Sequence, residues 1–229
     1  MPDLRGKRVL VRVDHNVEFD DQGKLKDDRK IRVSIPTLEF LLEKGAALVL
    51  MTHVGRPKGK IDEKLRTGPI AEHLQTLSSH INDVKTVTEC VGPAVEEAAA
   101  ALKEGEILYL ENVRFFPGEQ ENDDAFIKGL AALAEFYVDE AFPSLHLYEE
   151  ASTCGVARLL PAYAGFYLQK EIDHLQKGVA DPRRPLVLIL SGAKMKTKIP
   201  VIRRFLDIAD HILLGDRKST RLNSSHQII

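Results

Sequence analysis

Short continuous apolar runs alternate along this chain with stretches whose apolar residues recur at helical spacing. "KRVLVRVDHN" is a β-branched run that ends in polar residues, and "PTLEFLLEKG" follows it at helical period, with Pro36 near its start and Gly45 at its stop. The same alternation continues through the strand-like "ALVLMTHVG", helical "GPIAEHLQTLSSHI", strand-like "VKTV" and helical "GPAVEEAAAALKEG". "EILYLENVRF" then predicts a strand, "DDAFIKGLAALAEF" a helix and "YVDEAF" a strand. The strand segments are apolar throughout rather than alternating in polarity. Strands buried on both faces and separated by helices predict an α/β fold, a parallel sheet covered by helices in three layers.

The pattern changes at "QKEIDHLQKGVADPRRP", a charged helix that runs into a Pro- and Arg-containing turn and reads as a hinge. Beyond it "LVLILSG", "KIPVIRRFLDIAD" and "HILLG" restart the strand–helix–strand order, and two strands alone are expected to leave large apolar surfaces open. The expected organisation is one domain over 1–170, a hinge helix over 171–184 and the beginning of a second, similar domain over 185–215.

Composition narrows the classes. The 229 residues are 44% hydrophobic and 29% charged, with a formal net charge of −2. That balance suits a globular domain and gives no bulk positive field for nucleic acid or an anionic membrane. No apolar run approaches the ~20 residues of a membrane span, and "MPDLRGKRVL" lacks a signal-peptide pattern. The two cysteines, Cys90 and Cys154, read as reduced thiols, so a cytoplasmic protein is expected; a monomer is expected as well. The eight histidines never fall at metal-ligand spacing, so no protein-held metal is expected.

In open α/β sheets ligands bind beyond the carboxyl ends of the strands. The first strand ends in Asp14, His15 and Asn16; the second supplies His53, Arg56 and Lys58; the fourth supplies Asn112 and Arg114. Singly these have plain readings: a capping histidine, surface ion pairs, a turn aspartate. Their recurrence at equivalent strand ends favours an anion site, because the arginine fork matches phosphate or carboxylate. Glu149 and Glu150 read as a solvated loop. "LVLILSGAKMKTKIP" places Lys194 and Lys198 between a strand and a helix, a weak phosphate-loop signal without the Walker spacing. No G-x-G-x-x-G follows the first strand, which disfavours an NAD-dependent dehydrogenase.

Taken together, "VLVRVDHNV", "LVLMTHVGRPKG", "YLENVRFFPGE", "KEID" and "GAKMKTKI" stand in the order and near the spacing of phosphoglycerate kinase, and the chain resembles that family from residue 7 to about 215. The resemblance implies two Rossmann-like domains, the first binding 3-phosphoglycerate and the second Mg-ADP or Mg-ATP. It implies reversible phosphoryl transfer between ATP and 3-phosphoglycerate, giving 1,3-bisphosphoglycerate, a step of glycolysis and gluconeogenesis. Asp14 and Asn16 would hold the glycerate hydroxyl and carboxylate, and His53, Arg56 and Arg114 the substrate phosphate, with Lys30, Val54 and Gly55 also binding substrate. Lys30 and Lys194 would be catalytic, with Gly192, Ala193, Lys194 and Lys198 on the nucleotide; Mg²⁺ would arrive on ATP or ADP. Lys30 stands where the family usually has Arg, its usual later Arg falls near Leu147, and "DHN" replaces the commoner "DFN". The alternative is a non-catalytic anion-binding α/β domain.

The last residues, "DRKSTRLNSSHQII", break the pattern. Back-translated, they resemble a common sequencing-library adapter followed by an index. Residues 216–229 are therefore expected to be artefactual, leaving 1–215 as an inactive fragment of the enzyme.

Overall fold

A computed structural model describes residues 2–20, 22, 25–81, 83–147, 149–180, 182–191 and 198–215. The chain divides at Glu171/Ile172 into two compact units.

The first unit is built on β1 (Arg8–Arg12), β2 (Ala47–Met51), β3 (Val84–Thr86), β4 (Ile107–Tyr109), β5 (Phe136–Asp139) and β6 (Ala162–Ala164). All six strands are parallel, in the order β3-β4-β2-β1-β5-β6. The connecting helices are α1 (Arg29–Arg32), α2 (Ile35–Glu43), α3 (Gly68–Thr76), α4 (Pro93–Ala100), α5 (Pro117–Gln120) and α6 (Asp124–Ala131), followed by α7 (Phe166–Ala180). Pro36, Pro69 and Pro93 sit in the first turns of α2, α3 and α4, where a missing N–H costs nothing. Asp123 caps α6 by accepting from Phe126 N at 2.8 Å.

Alternate residues of each central strand enter different layers. Val9 and Val11 of β1 pack with Leu38, Leu41, Ile70 and Leu74 from α2 and α3. Leu10 packs with Val95, Ala99, Ile127 and Leu130 from α4 and α6. Both faces are therefore dry, which is why these strands carry no polar alternation. After α2 the chain turns at Gly45, whose φ of +78° and close approach to Arg5 exclude a side chain.

Some expectations need correction. β4 stops at Tyr109, and the "NVRF" segment beyond it is a 3₁₀ turn over Val113–Phe115. After β5 the chain forms a 3₁₀ segment, Phe142–Leu147, and a π-helical turn, Ala151–Gly155. The edge strand β6 has no apolar signature; its three residues are exposed.

The second unit contains β7 (Val187–Leu190), α8 (Ile199–Phe205) and β8 (His211–Leu214), with β7 and β8 parallel. Asp210 clamps this pair by accepting from Leu186 N at 2.6 Å and Arg184 Nη1 at 2.9 Å. Both strands lie where expected and leave apolar side chains open, as expected of so few strands: Ile189 is 69% exposed and Leu214 60%.

Candidate active site

The carboxyl ends of β1, β2, β4 and β5 open into a cleft of about 1270 Å³. Asp14, Asn16, Lys30, His53, Gly55, Arg56 and Arg114 all line it, so residues up to 100 positions apart in sequence meet at neighbouring strand ends.

The loop after β2 is shaped for close approach. Gly55 has φ +61°, and a Cβ there would meet the Leu65 side chain at 2.9 Å. Asn112 braces this loop. Its Oδ1 accepts from Val54 N at 3.1 Å and Arg114 N at 3.2 Å, and its Nδ2 donates to Val54 O at 2.9 Å and Leu65 O at 3.0 Å. Val54 is fully buried with both backbone groups taken, so its contribution is to position its neighbours. Gly55 donates its N–H to Asn16 Oδ1 at 2.9 Å and accepts from Arg114 Nη1 at 3.1 Å. A short polar lattice thus ties the ends of β1, β2 and β4 together.

Lys30 projects from α1 and pairs with the nearly buried Asp14 at 3.2 Å. Its neighbours turn away: Arg29 is held by Asp27 at 2.7 Å and Arg32 by Asp28 at 2.9 Å. Of these three cations only Lys30 lines the cleft.

His53 is almost buried, and its Nδ1 lies 2.8 Å from Arg12 Nη2. A guanidinium only donates, so Nδ1 is the acceptor and the imidazole proton belongs on Nε2. Burial, then the positive charges of Arg12, Arg114 and Lys30, hold the ring far below the usual histidine range. His53 therefore acts as a neutral donor rather than a cation. Asn16 Nδ2, 3.3 Å from Nε2, is itself a donor, because Asn16 Oδ1 already serves Gly55; the Nε2–H is left for a ligand.

Arg12 was overlooked in the sequence reading. It is fully buried, although an arginine inside an apolar strand covered on both faces is itself a signal. Beyond His53 it donates to Ser152 Oγ at 2.9 Å and Val13 O at 2.8 Å. Ser152 in turn hydrogen-bonds through both N–H and Oγ to Glu119, a buried carboxyl that burial pushes above its usual range.

Glu150 is not the solvated loop residue expected. It is 6% exposed and pairs with Arg114 at 2.9 Å. Glu149, beside it, is exposed. Arg56, Lys58 and Lys64 line the cleft with no ion-pair partner among the described residues. His15 lies behind the cleft between Tyr109 Oη at 2.8 Å and Ser34 Oγ at 2.9 Å; burial, with Arg12 nearby, lowers it to about 3, so it too is neutral. Gly192, Ala193 and Lys194 lie outside the described residues, and Lys198 stands at the N-cap of α8 in the second unit. Among the described residues no cluster of three His, Cys, Asp or Glu could hold a metal, and no helix is long and apolar enough to cross a membrane.

An all-parallel α/β sheet with a cationic crevice at the carboxyl ends of its central strands defines a Rossmann-like α/β domain. Comparison with known proteins narrows the class. The family model for phosphoglycerate kinase matches residues 1–219, and the chain belongs to that family. It is 52% identical over 213 residues to a phosphoglycerate kinase from Moorella thermoacetica and 46% identical over 213 residues to one from Desulforudis audaxviator. Each match covers 93% of this chain and 53% of the relative, so the chain spans about half the length of the curated relatives it matches. Among solved structures, phosphoglycerate kinase from Pyrococcus horikoshii OT3 superposes with a TM-score of 0.81 at 30% identity, covering 93% of this chain and 54% of that one. The Coxiella burnetii phosphoglycerate kinase gives 0.80 at 32% identity, covering 93% and 53%.

Proposed function

We propose that the cleft binds 3-phosphoglycerate, and that the protein, at the length of its relatives, transfers a phosphoryl group reversibly between ATP and that carboxylate. The products are ADP and 1,3-bisphosphoglycerate. The observation that carries this reading is the convergence of Arg56, Lys58 and Lys64, none with an ion-pair partner among the described residues, with the His53 Nε2–H, Asp14 and Asn16 in one cleft.

Arg56, Arg114 and the neutral His53 take the substrate phosphate. Asn16 and Asp14 take the glycerate carboxylate and hydroxyl, with Lys30 beside them to offset charge on the moving group. Phosphoryl transfer asks for alignment and charge neutralisation more than for a covalent group, which suits a cleft of cations and amides. Mg²⁺ enters on the nucleotide, where it neutralises phosphate charge. Gly192, Ala193, Lys194 and Lys198 are the nucleotide contacts supplied by this chain. Residues 1–170 form the substrate domain, and 171–184 the hinge helix. Residues 185–215 open the nucleotide domain: β7 and β8 leave Ile189 and Leu214 exposed, as an incomplete sheet does. The 229-residue chain is accordingly expected to bind substrate without turning it over.

The test is a coupled assay for ATP-dependent 1,3-bisphosphoglycerate formation, run on the chain and on a version carrying the relatives' remaining length. Turnover in the longer version alone supports the reading. Binding without turnover in both points to the anion-binding domain instead, and turnover by residues 1–229 alone contradicts the division of labour.

A further inference from the structure

The pairing of Arg114 with Glu150 is incomplete in a way that bears on how tightly the cleft holds anions. Glu150 Oε1 accepts from Arg114 Nη2 at 2.9 Å, and both side chains line the cleft. Glu150 Oε2 and Arg114 Nε are both buried and have no hydrogen-bond partner among the described residues. Arginine–carboxylate pairs are frequently joined by a two-point fork, and a buried pair offsets its desolvation only when its remaining polar atoms are satisfied. This one is held at a single point, beside a cleft rich in cations.

The two partners also differ in how firmly they are held. Arg114 keeps its Nη1 contact to Gly55 O at 3.1 Å and its backbone N–H bond to Asn112 if Glu150 departs. The Glu150 backbone is pinned, with its N–H on Leu147 O and its carbonyl accepting from Thr153, but its carboxylate has no second tether. Rotation about side-chain bonds is enough to move it. We propose that Glu150 is an internal competitor for the ligand phosphate: its carboxylate occupies Arg114 in the empty cleft and is displaced when a phosphate monoester dianion takes the guanidinium.

The exchange has a fixed cost. A single carboxylate from solution offers Arg114 nothing that Glu150 does not already supply. A phosphate dianion offers two oxygens to the fork and more charge to Arg56, Lys58 and Lys64, which offsets the loss of the Glu150 contact. Glu150 thus lowers the affinity of any anion that must displace it from Arg114, by the same factor for each.

This inference deepens the 3-phosphoglycerate reading and rests on it for that ligand, so the experiment carries a separate phosphate arm. The full chain and its Glu150→Gln variant are titrated calorimetrically with 3-phosphoglycerate and, separately, with inorganic phosphate. Gln keeps the shape and an oxygen for Arg114 but removes the competing charge. The expected result is tighter binding of both ligands by Glu150→Gln, about tenfold, the scale of one charge-assisted hydrogen bond. Unchanged or weaker binding overturns the proposal and makes Glu150 an orienting partner of Arg114. A gain for phosphate with no preference of the wild type for 3-phosphoglycerate keeps the competitor and removes the substrate reading. The reverse outcome, a wild-type preference without a gain in the variant, removes only the competitor. Should Glu150→Gln lose its fold by circular dichroism, the wild type decides: the Glu150 carboxylate ¹³C resonance shifts as phosphate saturates the cleft, and a resonance that does not move overturns the proposal.

Discussion

Arg12 reaches His53 from behind: its Nη2 donates to Nδ1 across 2.8 Å, and the remaining ring nitrogen faces the cleft. One buried arginine thereby fixes the tautomer of a proposed ligand group and reinforces the neutral state that burial imposes on it. In the wild type, His53 should show a single Nε2–H tautomer by ¹⁵N NMR and no titration between about pH 5 and 8. Arg12→Met should mix the tautomers and raise the His53 pKa part of the way toward 6.5, since burial, the larger cause, remains. The same variant removes the donor to Ser152 Oγ and the positive charge near the buried Glu119, and should cost about 3 kcal/mol of stability. A wild-type His53 that titrates normally would contradict this arrangement.

Glu140 makes stability fall with rising pH. It accepts from Thr37 Oγ1 at 2.9 Å and Tyr167 N at 3.1 Å, and burial raises its pKa from 4.5 to about 7. Below about pH 4.5 both the folded and unfolded forms are protonated and the contribution is fully present. Between 4.5 and 7 only the folded form holds the proton, so stability declines with pH, by about 1–2 kcal/mol in all. The five tyrosines, at 109, 137, 148, 163 and 167, all lie in the first unit, so their fluorescence follows its urea unfolding alone. Glu140→Gln should flatten the decline between pH 5 and 8. The raised Asp139 and Glu119 leave a residual slope of the same sign. A slope unaffected by the substitution would exclude Glu140 as its source.

Much of this was legible in the sequence. The apolar runs that became β1, β2 and β5 needed only their own composition to be read, because strands dry on both faces leave no ambiguity of phase. Arg56 and Arg114 were legible because they follow such runs by a few residues. What failed was whatever depends on partners distant in sequence. Glu150 looked solvated because Arg114, its partner, lies 36 positions away. Arg12 looked like a strand residue because Ser152, the acceptor of its Nε–H, is 140 positions away. The exposure of β7 and β8, by contrast, was legible, since two strands with one helix between them cannot bury both faces of a sheet.

Lys30 alone of the α1 cations lines the cleft, 3.2 Å from Asp14. An arginine there would keep that ion pair and add a planar fork for the moving phosphoryl group. In the protein extended to its relatives' length, Lys30→Arg should raise kcat or leave it unchanged. A large fall in kcat would show instead that the compact ammonium is the fitted group at this position.

The central claim is that the β1, β2 and β4 ends form a 3-phosphoglycerate site, and calorimetric titration of the 229-residue chain with 3-phosphoglycerate tests it most directly. Arg56 is exposed in the cleft and without an ion-pair partner among the described residues, so replacing it leaves the fold untouched. The wild type should bind the ligand, and Arg56→Ala should bind it roughly ten- to a hundredfold more weakly, the scale of a lost charged hydrogen bond. Equal affinity in the two proteins, or no binding by either, would contradict the assignment.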